Sequence, residues 1–403
     1  MKPYKHQVIA AEAALRIIKQ FGFVYIFGQP RCGKTYTAIL VAERSAVVKN
    51  VMVLTKKNAI AGWQKFTEIE GLTKKYTVIN YEQLGRVVNN NVAFRYHPSD
   101  YQLIIVDESH NYGKFPKPSN RYKVLRAFAK DMPHIHLSGT PVIESPCGIY
   151  HQMAIGKYTP FKHPNFYRFH DEFGVKTTKY YGGMSIIEYK GYKPELLIYI
   201  DTFTVKMTQD DAGITEKATD QIHYVELLSD TKRYYNDVLQ TNIVTMEGEQ
   251  YLMDTTLKLR TALHQIEGGA IKLGEDYYAL GFTEKIDYIL DQFGDTDDIG
   301  IMCHFIGEQK LLKSIFKNAK IYSSNAHAEG VDLSHLKHFI IYSSDYSGAK
   351  FVQRRERIIN MNGSNTTTVH HILVKGGISE QVYKAVSNKA DFNNSVFEPI
   401  QIL

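Results

Sequence analysis

The most informative part of the sequence is FVYIFGQPRCGKTYTAIL, residues 23–40. It begins with an apolar run, Phe23–Phe27, that is typical of a buried strand, and it ends in a pattern typical of a helix. Between the two lies a Gly-x4-Gly-Lys-Thr segment from Gly28 to Thr35. Its glycines let backbone N–H groups converge on phosphate oxygens at a helix N-terminus. The stretch therefore predicts a phosphate-binding loop.

The residues of this loop have distinct expected roles. Lys34 is expected to reach the β- and γ-phosphates of a nucleotide, and the Thr35 hydroxyl to ligate Mg²⁺. Gly28, Arg31 and Gly33 are expected to lie around the phosphates.

Two adjacent carboxylates form a second chemical element. Asp107 and Glu108 directly follow the apolar run Leu103–Val106, at the strand end where α/β folds place ligands. Asp107 is expected to hold Mg²⁺ through water, and Glu108 to orient and deprotonate the attacking water. A GTPase switch does not normally carry such a pair. ATP and Mg²⁺ are therefore the expected cofactors, and ATP hydrolysis is the expected reaction.

Apolar runs alternate with amphipathic helical patterns in both halves of the chain. This alternation predicts an α/β fold with parallel sheets covered by helices. Residues 175–215, rich in tyrosine and β-branched residues, instead predict an irregular or antiparallel insertion. The strands are predicted at 23–27, 50–55, 76–81, 101–108, 134–140, 299–305, 319–324, 338–344 and 368–374.

Composition limits the class of protein. The chain has 403 residues, a formal net charge of +6 and three cysteines, too few for a disulfide framework. We find no apolar run long enough to span a bilayer and no signal-peptide pattern near the N-terminus. These features predict a multidomain protein of the cytoplasm, without a membrane partner. The mild basic excess permits nucleic-acid binding but does not demonstrate it.

Several segments of the first half resemble motifs of superfamily 2 helicases and translocases. Asp107–His110 resembles motif II, and Ser138–Pro141 resembles motif III. Four further segments resemble motifs of the Swi/Snf-like branch. They are PYKHQ (3–7), VMVLTKKNAIAGWQKF (51–66) with the single tryptophan Trp63, VINYEQL (78–84) and the basic HNYGKFPKPSNRYKVL (110–125).

The second half continues the same ordered series, so the resemblance covers nearly the whole chain. It implies two RecA-like lobes, at 1–165 and 225–403, with an insertion or linker at 166–224. Small motors of this kind resemble phage-encoded helicases that remodel forked or branched DNA, which implies the host-cell cytoplasm. The resembling segments are GIMCHFIGEQKLL (300–312), SSNAHAEGVDLS (323–334), DYSGAKFVQRRERI (345–358) and VKGGISEQVYKAVSNK (374–389).

The resemblance implies roles for individual residues. Gln7 reads adenine, while His110, Ser138 and Thr140 relay the γ-phosphate state towards the DNA-facing motifs. The second lobe completes the nucleotide site. Its implied residues are Gly330, Asp332, Gln353, Arg354 and Arg357.

The implied activity is DNA-dependent ATP hydrolysis that drives movement on DNA, with unwinding or branch migration of forked or Holliday-type DNA. The implied partners are forked, branched or duplex DNA and proteins of replication or recombination. The chain is expected to act as a monomer.

The second lobe departs from the family pattern in two ways. Asn360 stands at the position where family members often have an arginine finger, and asparagine supplies no positive charge. Arg357 is the favoured replacement, with Arg354 and Arg355 as alternatives. The chain between Phe305 and the EGVDL segment also has room for only one helix and one strand, where family members usually carry a further unit.

Three other functions remain open. The protein is alternatively a duplex DNA translocase that separates no strands, an RNA helicase, or a non-motor nucleotide-dependent binding protein whose hydrolysis is impaired by Asn360.

Some residues suit more than one interpretation. The basic stretch after motif II suits DNA phosphates or a solvated loop. Cys32 is interpreted as incidental to the loop, although it offers a site for thiol reagents. The tyrosines of the insertion suit base stacking or aromatic packing, and we favour packing. Core or edge positions, rather than metal ligation, are favoured for His134, His136, His370, His371 and the pair Cys147 and His151. The basic residues are Lys114, Lys117, Arg121 and Lys123, and the tyrosines are Tyr180, Tyr181, Tyr189 and Tyr192.

Overall fold

A computed structural model of the chain describes residues 2–89, 91–142, 145–181, 184–214, 219–324, 336–345 and 368–395. The described residues divide into two compact units, of which the first reaches residue 214 and the second begins at residue 219. Among the described residues, no helix has both the length and the apolar character needed to cross a bilayer.

The first unit is built on a parallel sheet. Its elements, in chain order, are α1 (Lys5–Phe21), β1 (Phe23–Gly28), α2 (Lys34–Glu43), β2 (Asn50–Thr55), α3 (Ile60–Thr67), β3 (Lys75–Asn80), β4 (Gly85–Val88), β5 (Asn91–Phe94), β6 (Leu103–Val106), α4 (Asn120–Phe128), β7 (His134–Ser138), α5 (Ile149–Met153), α6 (Phe166–Phe173), β8 (Gly174–Tyr181), β9 (Met184–Tyr192), α7 (Glu195–Asp201) and β10 (Thr204–Met207).

The six-stranded sheet of this unit has the order β10-β1-β7-β6-β2-β3, and each neighbouring pair is parallel. Both faces are covered, because alternate strand residues enter different apolar clusters. Val24 and Ile26 pack in a cluster with α1 and α2, whereas Phe23 and Tyr25 pack in a cluster with α5 and α6. Burial on both faces explains why these strands are continuous apolar runs.

The second unit is also built on a parallel sheet, of five strands in the order β11-β19-β18-β16-β17. Its elements are β11 (Thr219–Val225), α8 (Ser229–Thr241), β12 (Ile243–Met246), β13 (Glu249–Leu252), α9 (Thr256–Glu267), β14 (Ala270–Leu273), β15 (Asp276–Ala279), α10 (Glu284–Phe293), β16 (Ile299–Cys303), α11 (Ile306–Ile315), β17 (Lys320–Ser323), β18 (His338–Ile341), β19 (Thr368–Val374) and α12 (Ile378–Ser395).

The α/β class with parallel sheets, predicted from the alternating pattern, is confirmed. One helix and one strand, α11 and β17, follow Phe305, as the spacing predicts. The region predicted as an insertion or linker, 166–224, contains strands of three different sheets. The strands β8 and β9 form a separate antiparallel hairpin, β10 extends the first sheet beside β1, and β11 belongs to the second sheet. The sequence pattern therefore located the hairpin but neither of the two strands that follow it.

The helix α1 was not predicted, although it determines where Gln7 lies. It ends at Gly22, whose φ of 77° is in the left-handed region. A Cβ atom at Gly22 would lie 1.9 Å from the Tyr158 ring, so this turn requires glycine.

Candidate nucleotide site

The predicted catalytic segments of the first unit converge because their strands are neighbours. The strands β1, β7 and β6 lie side by side and run in the same direction. Their carboxyl ends therefore meet at one edge of the sheet, where parallel α/β folds bind ligands. The phosphate loop, the Ser138–Thr140 turn and the Asp107–Glu108 pair follow these three strands.

The predicted phosphate loop leads directly from β1 into α2. Gly33 precedes the first residue of α2 with φ at 84°, a conformation that favours glycine. At Gly28, a Cβ atom would lie 2.2 Å from Lys34 Cγ, so the lysine side chain fills the space that a larger residue needs. Thr35 is partly exposed in the first turn of α2. These positions match those that phosphate binding at a helix N-terminus requires.

The Lys34 side chain folds back over the loop. Its Nζ donates hydrogen bonds to the carbonyl oxygens of Gly28, at 2.6 Å, and Gln29, at 3.2 Å. It also lies 3.6 Å from the position that a Cβ atom of Gly139 would take. The Ser138–Thr140 turn therefore lies beside the Lys34 ammonium group.

Gln7 lies beside the same loop. It is buried in α1, and its Oε1 accepts a 3.0 Å hydrogen bond from the backbone N–H of Tyr4. Its Nε2 lies 2.0 Å from the position of a Cβ atom at Gly33, so glycine is required there for space as well as for conformation. His6 Nε2 contacts the Cys32 carbonyl oxygen at 2.9 Å. The start of α1 is thus fixed to the loop.

Asp107 is held by two side chains from the neighbouring strand and helix. Its Oδ2 accepts hydrogen bonds from Thr55 Oγ1, at 2.7 Å, and from the indole Nε1 of Trp63, at 2.9 Å. The backbone carbonyl oxygen of Asp107 accepts a 2.7 Å hydrogen bond from the Tyr81 hydroxyl. Burial, and then the adjacent Glu108 carboxylate, raise the pKa of Asp107.

Two non-glycine residues of the site, Arg31 and Glu108, have positive φ, of 65° for Arg31. Glu108 directly follows Asp107. Its φ of 45° and ψ of 50° place it in the left-handed region, where a non-glycine residue is uncommon. Its Oε2 lies 3.3 Å from His110 Nδ1. Strained backbone of this kind is often found at functional sites, where the surrounding structure maintains it.

His110, Ser138 and Thr140 form one buried polar group. Ser138 Oγ contacts His110 Nδ1 at 2.9 Å and accepts a 3.0 Å hydrogen bond from the backbone N–H of Thr140. Thr140 Oγ1 lies 3.4 Å from the same His110 nitrogen. One imidazole thus contacts both Glu108 and the Ser138–Thr140 turn.

Sequence reasoning missed Gln209, which follows β10. Its backbone N–H donates a 2.7 Å hydrogen bond to Gln29 Oε1, and its Nε2 donates one of 3.2 Å to the Pro30 carbonyl oxygen. The phosphate loop is therefore supported from a segment about 180 residues later in the chain. No local pattern marks this partner, because it depends on the pairing of β10 with β1.

His134 and His136 lie in the core, where the sequence analysis placed them. His136 contacts Ser109 Oγ at 2.6 Å and His134 Nδ1 at 2.9 Å. Burial lowers the pKa of His134 to about 4 and lowers that of His136 as well. Among the described residues, no group of three or more His, Cys, Asp or Glu side chains is arranged to hold a metal ion.

Cys32 is fully buried inside the loop, and burial raises the pKa of its thiol. A buried thiol with a raised pKa is a poor nucleophile. The structure therefore does not favour the reaction with thiol reagents that the sequence left open.

The basic stretch after motif II is not uniform. Lys114, Lys117 and Lys123 are exposed. The Arg121 guanidinium instead contacts Glu82 Oε1 at 2.5 Å and lies over the Tyr81 ring, 4.9 Å from its centroid. The three lysines are accessible to an anionic partner.

The second-unit residues implied in nucleotide binding lie outside the described residues. They are Gly330, Asp332, Gln353, Arg354 and Arg357, together with Arg355 and Asn360. At the carboxyl edge of the second sheet, the described residues include His304, whose backbone N–H donates a 2.7 Å hydrogen bond to Ser343 Oγ. Ser343 in turn donates a hydrogen bond to the buried carboxylate of Glu308.

The residues present in the first unit fit ATP and Mg²⁺. Glycine at positions 28 and 33 lets the Lys34 and Gln7 side chains lie against the loop, since an added Cβ atom would collide with them. Lys34 and Thr35 begin the helix α2, and the partly buried Asp107 follows β6, which is two strands away from β1 in the sheet. Glu108 Oε2 is buried, and it lies 3.3 Å from His110 Nδ1.

Neither the models of protein families nor the curated proteins include a match to this chain.

Proposed function

We propose that the chain is an ATP-dependent DNA helicase or translocase of superfamily 2, in the Swi/Snf-like branch, and that each parallel sheet is the centre of a RecA-like lobe. The observation that carries the proposal is the contact between three motifs in the first unit. Lys34 of the phosphate loop lies against Gly139 of motif III, and His110 joins motif III to Glu108. A phosphate-binding site without hydrolysis or coupling needs only the first of these motifs.

The residues of the first unit have the following roles in this function. Lys34 and the backbone N–H groups of the loop bind phosphate oxygens, and Thr35 and Asp107 hold Mg²⁺. The metal ion neutralises charge on the phosphates. Glu108 orients the attacking water and accepts its proton. Gln7 selects adenine from its position beside Gly33.

Coupling to DNA follows from the buried polar group. His110 contacts Ser138 and lies beside Glu108, so a change at the γ-phosphate position alters hydrogen bonds at the motif III turn. The exposed Lys114, Lys117 and Lys123 follow motif II directly and suit contacts with DNA phosphates, which are independent of sequence and sensitive to salt.

The test is ATP hydrolysis measured with single-stranded, duplex, forked and four-way DNA. The proposal expects stimulation by DNA, greatest with forked or four-way substrates and falling as salt rises. The Lys34→Ala variant should remain at background with every substrate. Background hydrolysis by the wild type on all four substrates would contradict the proposal and favour a non-motor binding protein.

Assays with further substrates distinguish the helicase function from two alternatives. A translocase that does not separate strands hydrolyses ATP with duplex DNA but displaces no strand from forked or blunt duplexes. An RNA helicase is stimulated by RNA and not by DNA.

A further inference from the structure

The β8–β9 hairpin is an arm with an exposed apolar surface. It is a separate two-stranded sheet, in which Tyr180 pairs with Ser185, and Thr178 with Ile187. The Tyr180 side chain is 77% exposed, Ile186 52% and Ile187 49%. An isolated hairpin with such residues on its surface is only marginally stable in water, so their exposure requires an explanation.

The tyrosines of this segment whose side chains are described do not share one role; the Tyr181 side chain lies outside the described part of the structure. Tyr189 packs against the rings of Tyr167 and His170 at the base of the arm, and Tyr192 packs against the same apolar cluster. These two fit the packing interpretation. Tyr180 lies in the outer half of the arm and is the most exposed large apolar or aromatic side chain of the hairpin among those described. Packing within the unit therefore does not account for it.

The arm carries basic side chains beside its aromatic ones. Between Gly174 and Lys193 the sequence has four lysines and one acidic residue, Glu188. Lys176 is paired with Asp171 and Lys179 with Glu188, and both are exposed pairs of the kind that a phosphate backbone can exchange for its own contacts at little cost. Aromatic side chains among basic residues are the combination that binds single-stranded nucleic acid, because bases stack on the rings while the cations attract the backbone.

The arm is fixed to the segment that follows motif III. Ser145 Oγ donates a 2.6 Å hydrogen bond to the Lys190 carbonyl oxygen, and Cys147 Sγ donates one of 3.3 Å to the Gly191 carbonyl oxygen. A pocket of about 380 Å³ joins this attachment to the nucleotide site, since it is lined by His110 and Pro141 as well as Ser145. The base of the arm thus lies beside residues expected to respond to the nucleotide.

We propose that the β8–β9 arm is a surface for unpaired nucleic-acid bases, with the Tyr180 ring as its stacking platform. The proposal deepens the proposed function and rests on it for the nature of the partner. Unpaired bases fit better than a duplex, because inside a duplex both faces of each base are already stacked. The arm therefore favours a motor that separates strands over a translocase that stays on intact duplex.

The experiment measures DNA binding by the full chain without nucleotide. A labelled single-stranded oligothymidylate, a blunt duplex of equal length and an RNA strand serve as probes. The variants are Tyr180→Ala, Tyr180→Phe and the control Tyr224→Ala, which removes a 48% exposed tyrosine of β11 in the second unit.

We expect Tyr180→Ala to weaken binding of the single strand roughly tenfold, in the range for loss of one stacked base, and to leave duplex binding unchanged. Tyr180→Phe and Tyr224→Ala should bind like the wild type. A 2-aminopurine base in the single strand should lose fluorescence on binding to the wild type and retain it with Tyr180→Ala. Equal RNA binding would extend the surface to RNA bases as well.

The proposal is overturned if Tyr180→Ala binds the single strand as tightly as the wild type, if it loses duplex binding by the same factor, or if the wild type binds no single strand. Because no ATP is present, the result is independent of hydrolysis. If binding depends on Tyr180 but DNA does not stimulate ATP hydrolysis, the base-binding role of the arm stands and the helicase function is rejected. If DNA stimulates hydrolysis but binding does not depend on Tyr180, the helicase function stands and the role of the arm is rejected.

Discussion

The indole Nε1 of Trp63 donates a 2.9 Å hydrogen bond to Asp107 Oδ2, and this contact joins the only tryptophan of the chain to the carboxylate expected to hold Mg²⁺. Thr55 donates to the same oxygen. The other carboxylate oxygen, Asp107 Oδ1, accepts a 3.0 Å hydrogen bond from the backbone N–H of Glu108. The segment 51–66, which contains both donors, therefore orients the Asp107 carboxylate directly.

Replacing Trp63 by phenylalanine should weaken the use of Mg²⁺ without unfolding the unit. The ring still fills the buried site, but a hydrogen bond to a charged group is lost, which is worth about 1.5–3 kcal/mol. We expect ATP hydrolysis to require roughly tenfold more Mg²⁺ for half its maximal rate. The control is Tyr122→Phe, which removes a buried hydroxyl bonded to the Ala154 carbonyl oxygen, away from the site. An equal change in both variants would show that Trp63 acts only through stability.

Replacing Gly28 by alanine should abolish nucleotide binding. The new Cβ would lie 2.2 Å from Lys34 Cγ and 2.9 Å from Cys32 Sγ, so the lysine must leave its position. Gly62→Ala in α3 is the matched control, because nothing lies within 4 Å of its added Cβ. That control should bind nucleotide normally and gain up to about 1 kcal/mol of stability from helix propensity. Binding of a fluorescent ATP analogue is measured for both variants, and thermal unfolding measures the stability of the control. Tight binding by Gly28→Ala would disprove the assigned role of the loop.

Replacing Ser138 by alanine should uncouple hydrolysis from movement. It removes the oxygen that joins His110 to the Thr140 backbone. We expect the number of strands displaced per ATP hydrolysed to fall about tenfold, within the usual range of coupling energies. Ser314→Ala, which removes an exposed hydroxyl of the second unit, should leave this ratio unchanged. A wild-type ratio in Ser138→Ala would exclude the relay.

The stability of the second unit should depend on pH through Glu308. Burial raises the pKa of this carboxyl from 4.5 to about 7, with Ser343 and Lys285 acting in the opposite direction. The folded unit therefore retains a proton that the unfolded chain has released, and its stability falls as pH rises from about 4.5 to about 7, by about 3 kcal/mol in total.

Glu308→Gln should remove this dependence, since the amide does not titrate. Hydrogen exchange of the Ile299–Cys303 amides, corrected for the intrinsic rate at each pH, measures the stability of the unit. The prediction fails if the wild type and Glu308→Gln show the same pH dependence over this interval.

Local patterns predicted the elements whose signals are contained within the element. The strand Asn50–Thr55 was predicted with its observed bounds, because both of its faces are buried and the apolar run is continuous. The positions of Lys34, Asp107 and Ser138 followed in the same way, since each directly follows such a strand. The order of the strands in the sheet then determines how close these three residues lie to one another.

The contacts that were missed are those between distant parts of the chain. Gln209 supports the phosphate loop because β10 pairs with β1, and no property of the sequence near residue 204 specifies that pairing. The sequence analysis singled out Trp63 as part of a family-like segment but did not predict its hydrogen bond to Asp107. A partial signal existed, since a buried tryptophan usually requires an acceptor for its N–H, but the strand ends Thr55, Asn80 and Asp107 all offered one.

The most direct test of the account compares ATP binding and hydrolysis in the wild type and Glu108→Gln, in the presence of saturating forked DNA. Binding is followed by the fluorescence of Trp63, which lies at the site and is the only tryptophan. The account predicts equal binding and a hydrolysis rate reduced by about 100-fold or more in Glu108→Gln, because the general base is lost. Hydrolysis by Glu108→Gln at the wild-type rate would contradict it.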